Sequence, residues 1–506
     1  MAHAFWRPTH QLLVVSRESA GGPKNSSCLL QPLVTQRLVN FCMPPKLAQK
    51  AASKAATSPP SAAMASMSLA AKTSPSKAAK AAAPKLRVEQ LPHLTTASYV
   101  SRDGRQFPLS GPPMWCSGGE DGEPPSPLML TKLPGISKAE IETNVRSLWR
   151  YAKAFPVACA EPISLGEGCT PLLQCPLGGQ PNVHFKCEWF APTTSFKDRG
   201  TSVMLSLLRQ QGVTHVLEDS SGNGGASVSA YAAAGEIRAT IMAPASTSPA
   251  KLVQMEAHGA RVELVPGSRQ ATADAAVAAH GRDGGSVFYA SHNWHPYFLQ
   301  GTKTLAYEVW EDLGFRAPRN IIIPTGAGSN ILGCDIGFTE LLDRGEIDAL
   351  PRLFCAQPLL CSPIASAILA ALDHDDGLDP HPMLSPAHEW NKPASTIAEG
   401  TSIARPVRQE ECVSAVVRSG GGAVRVREEL IGKAALELAR LGLYAEPSSA
   451  QAAAAYHQLL GSGAISAEET TVIILTSTGV KATQRVAEML GSADGTAAAE
   501  GTTAQG

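Results

Sequence analysis

The sequence lacks an excess of charge, a paired-cysteine pattern and any long apolar run, and each absence excludes a class of protein. Lys and Arg number 43 against 44 Asp and Glu, which leaves no basic field to hold a nucleic-acid backbone. The 11 cysteines are odd in number and include no Cys-x-x-Cys pair, which argues against a disulfide framework and a structural zinc site, and for a reducing compartment. No apolar stretch approaches the roughly 18 residues that a membrane-spanning helix needs. The composition of the whole sequence, 44% hydrophobic and 17% charged, is typical of a soluble globular protein.

Acidic residues are also scarce at the start of the chain. Residues 1–88 hold one acid, Glu18, against 12 Lys and Arg, and they are rich in Ala, Ser and Pro. Such low-complexity sequence cannot bury a core, so we expect a disordered leader. A basic, Ser-rich leader is typical of a transit peptide to a plastid or mitochondrion. A disordered tail of a cytoplasmic protein, or upstream sequence before a start at Met43, explains it equally well.

Two further segments, one on each side of the body, differ from it in composition. Residues 89–160 are Pro/Gly-rich and lead into one predicted helix, and we expect this lead-in segment to wrap the domain that follows. The stretch at 491–506, "GSADGTAAAEGTTAQG", predicts a disordered tail.

The body alternates short β-branched runs with Ala-rich helical stretches. The predicted strands are THVLEDS, RATIMAPAS, ARVELVPG, SVFYA, NIIIPTG, RLFCAQP and TTVIILTSTG. Between them, Gly235 is expected to end one helix, and Ser248 and Pro249 to begin the next. Strands spaced by helices of about ten or more residues predict parallel sheets covered on both faces. We therefore predict two three-layer α/β subdomains, 161–300 and 301–490, with a ligand cleft between them.

Two Gly-rich loops follow predicted strands, where open α/β sheets bind ligands. They are SSGNGG at 220–225 and GAGSN at 326–330. Each opens a helix, so its free backbone N–H groups and the helix dipole favour an anion. Either loop alone could be an ordinary turn. Neither fits Gly-x-Gly-x-x-Gly or the P-loop, and RATIMAPAS lacks the terminal acid that holds a ribose. A small phosphate-bearing ligand at one loop and a carboxylate at the other fit better than a dinucleotide.

Lys197 precedes both loops, in the stretch APTTSFKDRG. Alone, it could be a surface lysine paired with its neighbour Asp198. A reactive lysine, a phosphate cradle and a carboxylate cradle are together the parts that hold pyridoxal phosphate and an amino acid, because the aldehyde needs an amine for its Schiff base. Burial would lower the pKa of the lysine toward that of a usable nucleophile and base. The order of the three segments favours this interpretation.

These segments resemble the threonine synthase family, which comprises fold-type II pyridoxal-phosphate enzymes of the tryptophan synthase β-like superfamily. PTTSFKDRG is similar to the family signature Pro-Thr-Gly-Ser-Phe-Lys-Asp-Arg-Gly, with Thr194 in place of glycine. SLGEGCTPL at 164–172, GLYAEPSSAQAAAA at 442–455 and LTSTGVK at 475–481 resemble further family motifs. The likeness covers about residues 160–490 and is more specific for fold and cofactor than for the reaction, since dehydratases share most of it.

The resemblance implies a role for each matched residue. Lys197 would carry the cofactor as a Schiff base in the cleft and later move protons. Asn223 would bond the cofactor's phenolic oxygen, and the hydroxyl of Thr476 would meet its ring nitrogen, which suits elimination and replacement better than transamination. The loop that cradles the cofactor phosphate would consist of Gly326, Ala327, Gly328, Ser329 and Asn330. The substrate carboxylate would be held by Ser220, Ser221 and Gly222.

For a threonine synthase, the resemblance implies conversion of O-phospho-L-homoserine and water to L-threonine and phosphate. The candidate contacts for the substrate phosphate are Lys186, Arg199, Asn293 and Lys303. His292 and His295, in the same segment, could equally be packing or capping residues. A serine/threonine dehydratase or another β-replacing lyase remains an alternative, as does a non-catalytic pyridoxal-phosphate binder. The family usually forms homodimers.

Overall fold

The computed structural model describes residues 97–118, 124–247, 249–281, 285–372 and 395–500. The predicted leader and the predicted cap Ser248 lie outside these ranges. Within them, no helix is long and apolar enough to cross a membrane.

The lead-in segment forms small antiparallel sheets. Its strands are β1 (Ser98–Val100), β2 (Gln106–Pro108), β3 (Cys116–Ser117), β4 (Ser126–Pro127) and β5 (Met129–Leu130), with 3-10 helices at Lys138–Glu140 and Leu148–Ala154. The ring of Trp115 packs edge-on against Tyr289 of the body, at 4.9 Å between centroids. The segment therefore packs on the body at this point. The one predicted helix is replaced by two 3-10 helices.

Two sheets form the body. Their strands are β6 (Leu172–Gln174), β7 (Val183–Cys187), β8 (His215–Glu218), β9 (Arg238–Pro244), β10 (Arg261–Val265), β11 (Phe288–Tyr289), β12 (Asn320–Pro324), β13 (Arg352–Pro358), β14 (Gly422–Val426) and β15 (Thr471–Leu475). The smaller sheet has the order β10-β9-β8-β11 and is parallel throughout. The larger sheet has the order β14-β13-β12-β15-β7-β6 and is parallel except at β6. The predicted fold class is confirmed, as are all seven predicted strands.

Helices follow most of the parallel strands. They are α1 (Lys197–Gln210), α2 (Asn223–Ala234), α3 (Pro249–Ala257), α4 (Arg269–Ala279), α5 (Pro296–Thr302), α6 (Thr304–Asp312), α7 (Ser329–Asp343), α8 (Pro363–Ala371), α9 (Gln409–Arg418), α10 (Glu428–Arg440), α11 (Pro447–Gly461) and α12 (Thr483–Glu500). Gly235 ends α2, as predicted. The helix α12 continues to Glu500, where a disordered tail from residue 491 was predicted.

Both faces of the larger sheet are buried. Along β12, Ile321 and Ile323 join one apolar cluster, whereas Ile322 joins the cluster on the opposite face. The neighbouring β15 alternates in the same way, with Val472 on the first face and Ile473 on the second. Helices therefore cover both sides, which gives the three-layer arrangement expected of a parallel sheet.

The two sheets do not correspond to two halves of the chain. β7 pairs with β15, with Phe185 opposite Ile473, so it belongs to the larger sheet although it precedes the smaller one in sequence. The predicted boundary at residue 300 therefore does not separate the sheets. The chain leaves the larger sheet after β7 and enters the smaller subdomain through α1, and Lys197 lies at this crossing.

Candidate active site

Lys197 is the first residue of α1, and main-chain contacts fix the loop before it. The N–H of Phe196 donates to the carbonyl of Thr476 at 3.0 Å. Ser195 and Ser477 form an antiparallel bridge. These contacts join the start of α1 to the segment that follows β15, so Lys197 and Thr476 lie side by side.

The amine of Lys197 has surroundings that favour its uncharged form. Nζ lies 4.5 Å from the ring centroid of Phe196 and 5.6 Å from that of Phe298, and within the described residues it makes no hydrogen bond. Burial lowers the pKa of Lys197 to about 7, with the charge of Arg269 acting in the same direction and the carboxylate of Glu218 opposing it. About half of the amine is thus neutral near pH 7, which is the state that a nucleophile or a base requires.

Asn223 is the first residue of α2, and two charged side chains hold its amide. Lys481 Nζ donates to Asn223 Oδ1 at 3.0 Å, and Asn223 Nδ2 donates to Glu446 Oε1 at 3.4 Å. Burial raises the pKa of Glu446 to about 7 and lowers the pKa of Lys481. The sequence analysis did not single out Glu446 and Lys481. Both lie inside motifs quoted for the family resemblance, at 442–455 and 475–481, and that position is the signal that could have found them.

Thr476 follows β15, and its hydroxyl contacts a serine of α11. Its Oγ1 lies 2.9 Å from Ser449 Oγ, which also accepts the N–H of Ser477 at 2.9 Å. The polar group at this position is therefore a hydroxyl that α11 holds in place.

The loop at 326–330 connects β12 to α7 and has the properties of an anion cradle. Gly328 has a φ of +92°, and a Cβ there would overlap the sulfur of Cys412, so only glycine fits. In the described part of the chain, both Nδ2 and Oδ1 of Asn330 are buried without a partner. Each such group costs about 1–3 kcal/mol unless a bound molecule satisfies it. A phosphate at the N-terminus of α7 matches these features.

The loop at 220–222 lies between β8 and α2. Ser220 is largely buried, whereas Ser221 is half-buried and Gly222 is exposed. A Cβ on Gly224 would lie 2.9 Å from the ring of His292 and 2.9 Å from Ser220 Oγ. The loop therefore packs closely against His292 and leaves its accessible residues at the end of the smaller sheet.

Two of the predicted phosphate contacts lie in a buried ion-pair network instead. Arg199 forms two hydrogen bonds with Glu188, at 2.6 and 2.8 Å, and two with Glu308, at 2.8 and 2.7 Å. Lys186 Nζ lies 3.0 Å from Glu308 Oε2 and 2.8 Å from Asp312 Oδ2. The side chains of Lys186 and Arg199 are 0% and 1% exposed, so these cations are matched inside the protein.

The other two predicted contacts differ from each other. Lys303 is fully buried with its Nζ 3.0 Å from Glu340 Oε1, so it too has a structural partner. Asn293 is half-buried, and its Oδ1 has no partner among the described residues. We therefore retain Asn293 as a candidate and remove the three cations from the set of substrate contacts.

Comparison with known proteins assigns the chain that carries this lysine and these loops to a protein family. A family model described as "Pyridoxal-phosphate dependent enzyme" matches residues 163–477. The chain belongs to this family. The enzyme is a pyridoxal-phosphate-dependent lyase, and its unbonded lysine amine and the orphaned side chain of Asn330 fit the aldehyde and the phosphate of that cofactor.

The relatives of this enzyme include several threonine synthases. The threonine synthase of Methanosarcina acetivorans is 32% identical over 360 residues, which cover 70% of this chain and 85% of that protein. The threonine synthase of Methanocaldococcus jannaschii is 32% identical over 353 residues, or 68% of this chain and 83% of the relative.

Solved structures show the same fold. A fungal L-serine ammonia-lyase from Rhizomucor miehei has a TM-score of 0.53 at 19% identity, over 65% of this chain and 98% of its own. The processed form of threonine deaminase isoform 2 from Solanum lycopersicum has a TM-score of 0.50 at 20% identity, over 63% and 87% of the two chains. At these identities the likeness shows the architecture and not the reaction.

Proposed function

We propose that this lyase converts O-phospho-L-homoserine and water to L-threonine and phosphate. The observation that carries the proposal is the likeness to threonine synthases, which spans 85% of the length of the Methanosarcina protein. The neutral fraction of the Lys197 amine near pH 7 supports it, because the reaction begins by removing the proton from Cα.

The side chains divide the work in this proposal. Pyridoxal phosphate, when bound, supplies an aldehyde for a primary amine and a ring that withdraws electrons from Cα. Lys197 accepts the Cα proton and returns it at the end of the reaction. The loop at 220–222 holds the substrate carboxylate, the loop at 326–330 holds the cofactor phosphate, and Asn223 and Thr476 orient the ring.

The bond changes balance without a further reactant. The Cγ–O bond to phosphate breaks, and the two protons released from Cβ and from water go to Cγ and to the leaving phosphate. Cβ loses one proton and gains the hydroxyl of water. Water is therefore consumed once per phosphate released.

The test is an assay of the purified holoenzyme against a panel of O-phospho-L-homoserine, L-threonine, L-serine and O-phospho-L-serine. We expect phosphate and threonine in equal amounts from the first, and no turnover in Lys197→Ala. The matched control Lys251→Ala removes an exposed lysine that pairs with Glu399 and should retain activity. Borohydride reduction followed by peptide mapping should place the label on Lys197, and a label elsewhere would contradict the site assignment.

A second candidate, serine/threonine dehydratase, is favoured by one specific observation. Lys186 and Arg199 pair with the buried Glu308, and Lys303 pairs with the buried Glu340, so none of the three is available to a substrate phosphate. A dehydratase needs no such contact. Ammonia and a keto acid from L-threonine, with no phosphate release from O-phospho-L-homoserine, would decide for this second function.

A further inference from the structure

His292 and Glu218 form a hydrogen-bonded pair at the carboxyl ends of two neighbouring strands. Glu218 is the last residue of β8, and His292 follows β11, which pairs with β8 in parallel. The distance between His292 Nδ1 and Glu218 Oε1 is 2.6 Å, and the backbone N–H of His292 donates to Glu218 Oε2 at 3.0 Å. Both carboxylate oxygens are therefore engaged, which fixes the plane and the direction of the imidazole ring.

The other ring nitrogen of His292 is unengaged and lies beside the proposed substrate site. Nε2 makes no hydrogen bond within the described residues, and the side chain keeps 8% exposure. The ring centroid of Phe298 lies 5.7 Å from that of His292 and 5.6 Å from Lys197 Nζ. The same imidazole packs on Gly224, next to the loop at 220–222. His292 thus lies between the carboxylate loop and the reactive lysine.

The charges around the pair keep the imidazole neutral. Burial lowers the pKa of His292 well below its usual range, and the charges of Lys197 and Arg269 add to this, while Asp219 opposes it. Burial also raises the pKa of Glu218 to about 7. One proton shared across the 2.6 Å bond therefore decides whether Nε2 accepts or donates a proton.

His295, three residues further on, shows the contrasting structural role. Its Nδ1 accepts the N–H of Tyr297 at 3.2 Å and thereby caps α5, and the residue is only 1% exposed. It pairs with no carboxylate in the described part of the chain. The two histidines of one segment thus differ in whether a ring nitrogen is available to a ligand.

We propose that His292 is a second catalytic proton-transfer residue, which serves the side-chain end of the bound amino acid while Lys197 serves Cα. This inference rests on the proposed lyase reaction. When water adds at Cβ, its oxygen bonds to carbon and one of its protons passes to Nε2. The imidazolium is balanced by the carboxylate of Glu218, and the proton then leaves to solvent at the exposed part of the His292 side chain. Glu218 acts as a positioning residue.

The first test is chemical modification of the protein without cofactor. Diethyl pyrocarbonate should label His292 and leave His295 unlabelled, because only His292 has an accessible neutral ring nitrogen. Mass spectrometry of the single peptide that contains both histidines measures the two together. Labelling of His295 with none on His292 would overturn the proposal, and this readout does not depend on any substrate.

The second test separates two proton transfers in the holoenzyme. His292→Asn keeps a donor for Glu218 and removes Nε2, so product formation should fall about 100-fold or more while exchange of the Cα proton with deuterium oxide stays within about threefold. Imidazole should restore turnover in His292→Ala and should not restore it in Glu218→Gln, where the imidazole is present but wrongly held. His295→Asn, which retains a helix cap, is the matched control and should behave as wild type.

The outcomes distinguish this proposal from the proposed function. If the wild-type enzyme releases no phosphate from O-phospho-L-homoserine, the proposed function is wrong. The exchange and turnover of the His292 variants are then measured with the amino acid of the panel that the enzyme does consume, because a leaving hydroxyl also needs a proton. Equal losses of exchange and turnover in His292→Asn without rescue of His292→Ala would show a merely structural role. Undiminished turnover in His292→Asn would also contradict the proposal.

Discussion

Replacing Arg199 with methionine tests whether the role of this residue is to form buried ion pairs or to bind a ligand. The guanidinium makes four hydrogen bonds of 2.6–2.8 Å to Glu188 and Glu308 in an interior where its own side chain is 1% exposed. Methionine retains the apolar stem and removes the charge. Lys186 is then the one cation paired with Glu308 among the described residues, and Glu188 loses its paired cation.

The expected loss is large because the carboxylates stay buried. Removing one partner of a buried ion pair costs about 3–5 kcal/mol of unfolding free energy. A surface pair contributes about 0–1 kcal/mol, and the pair of Arg344 with Glu140, with side chains 29% and 35% exposed, provides that comparison. Arg199→Met should therefore lower the midpoint of urea unfolding far more than Arg344→Met, as measured by tryptophan fluorescence of the full chain.

The pH dependence of the same measurement adds a check with a definite sign. Burial alone would raise the pKa of Glu308, but the charges of Arg199 and Lys186 hold it well below its ordinary value. A depressed carboxyl pKa stabilises the fold above the unfolded pKa, about 4.3, and the stabilisation is lost as the pH falls below it. The difference between wild type and Arg199→Met should therefore shrink below about pH 4.

The refuting result is a variant as stable as wild type with a raised KM. Arg199→Met with an unchanged urea midpoint and weaker use of O-phospho-L-homoserine would mean that the guanidinium faces a ligand. The assignment of Arg199 to a structural network would then be wrong.

Three further predictions concern the site itself. In the protein without cofactor, the rate of acylation of Lys197 should rise with a midpoint near pH 7, because its amine is neutral above that pH. Exposed lysines of ordinary pKa should have midpoints about three pH units higher. A midpoint near pH 10 for Lys197 would contradict the argument that burial lowers its pKa. Thr194 is a β-branched residue at a φ of +60°, which carries strain of roughly 1–2 kcal/mol. Thr194→Gly should therefore raise the unfolding free energy by about 0.5–1 kcal/mol, once the conformational entropy that glycine loses on folding is deducted. Thr143→Gly, at a position without positive φ, should lower the unfolding free energy. Gly328→Ala should weaken cofactor binding at least about tenfold, because the added Cβ overlaps Cys412, and a fluorescence titration with pyridoxal phosphate measures this affinity. Gly345→Ala, at a φ of +70° in open space, is the control and should bind the cofactor normally.

Local sequence patterns predicted the fold well. The run NIIIPTG became β12 and the turn before α7 because a strand, a glycine turn and a helix start are all specified within ten or so residues. β7 and β14 were not predicted as strands, because Lys186 and Arg425 interrupt their apolar runs. Inside β7, Lys186 is stabilised by the carboxylates of Glu308 and Asp312, which lie far along the chain and are not visible locally.

The roles of charged residues in the site were less predictable. Lys197 could be found because a distinctive stretch surrounds it. The partners of Lys186, Arg199 and Lys303 come from sequence-distant segments, such as α6 and α7, so pairing could not be told from ligand binding before the fold was known. The pairing of His292 with Glu218 spans 74 residues and depends on the order of strands in the smaller sheet.

The placement of β7 in the larger sheet has a consequence for synthesis on the ribosome. β7 ends at Cys187, yet its parallel neighbour β15 begins only at Thr471. At roughly 5–20 residues per second, translation of the intervening stretch takes about 15–60 s. During that interval one edge of β7 lacks its partner strand, and every strand of the smaller sheet is synthesised before β15. The smaller sheet can therefore form before the larger sheet is complete.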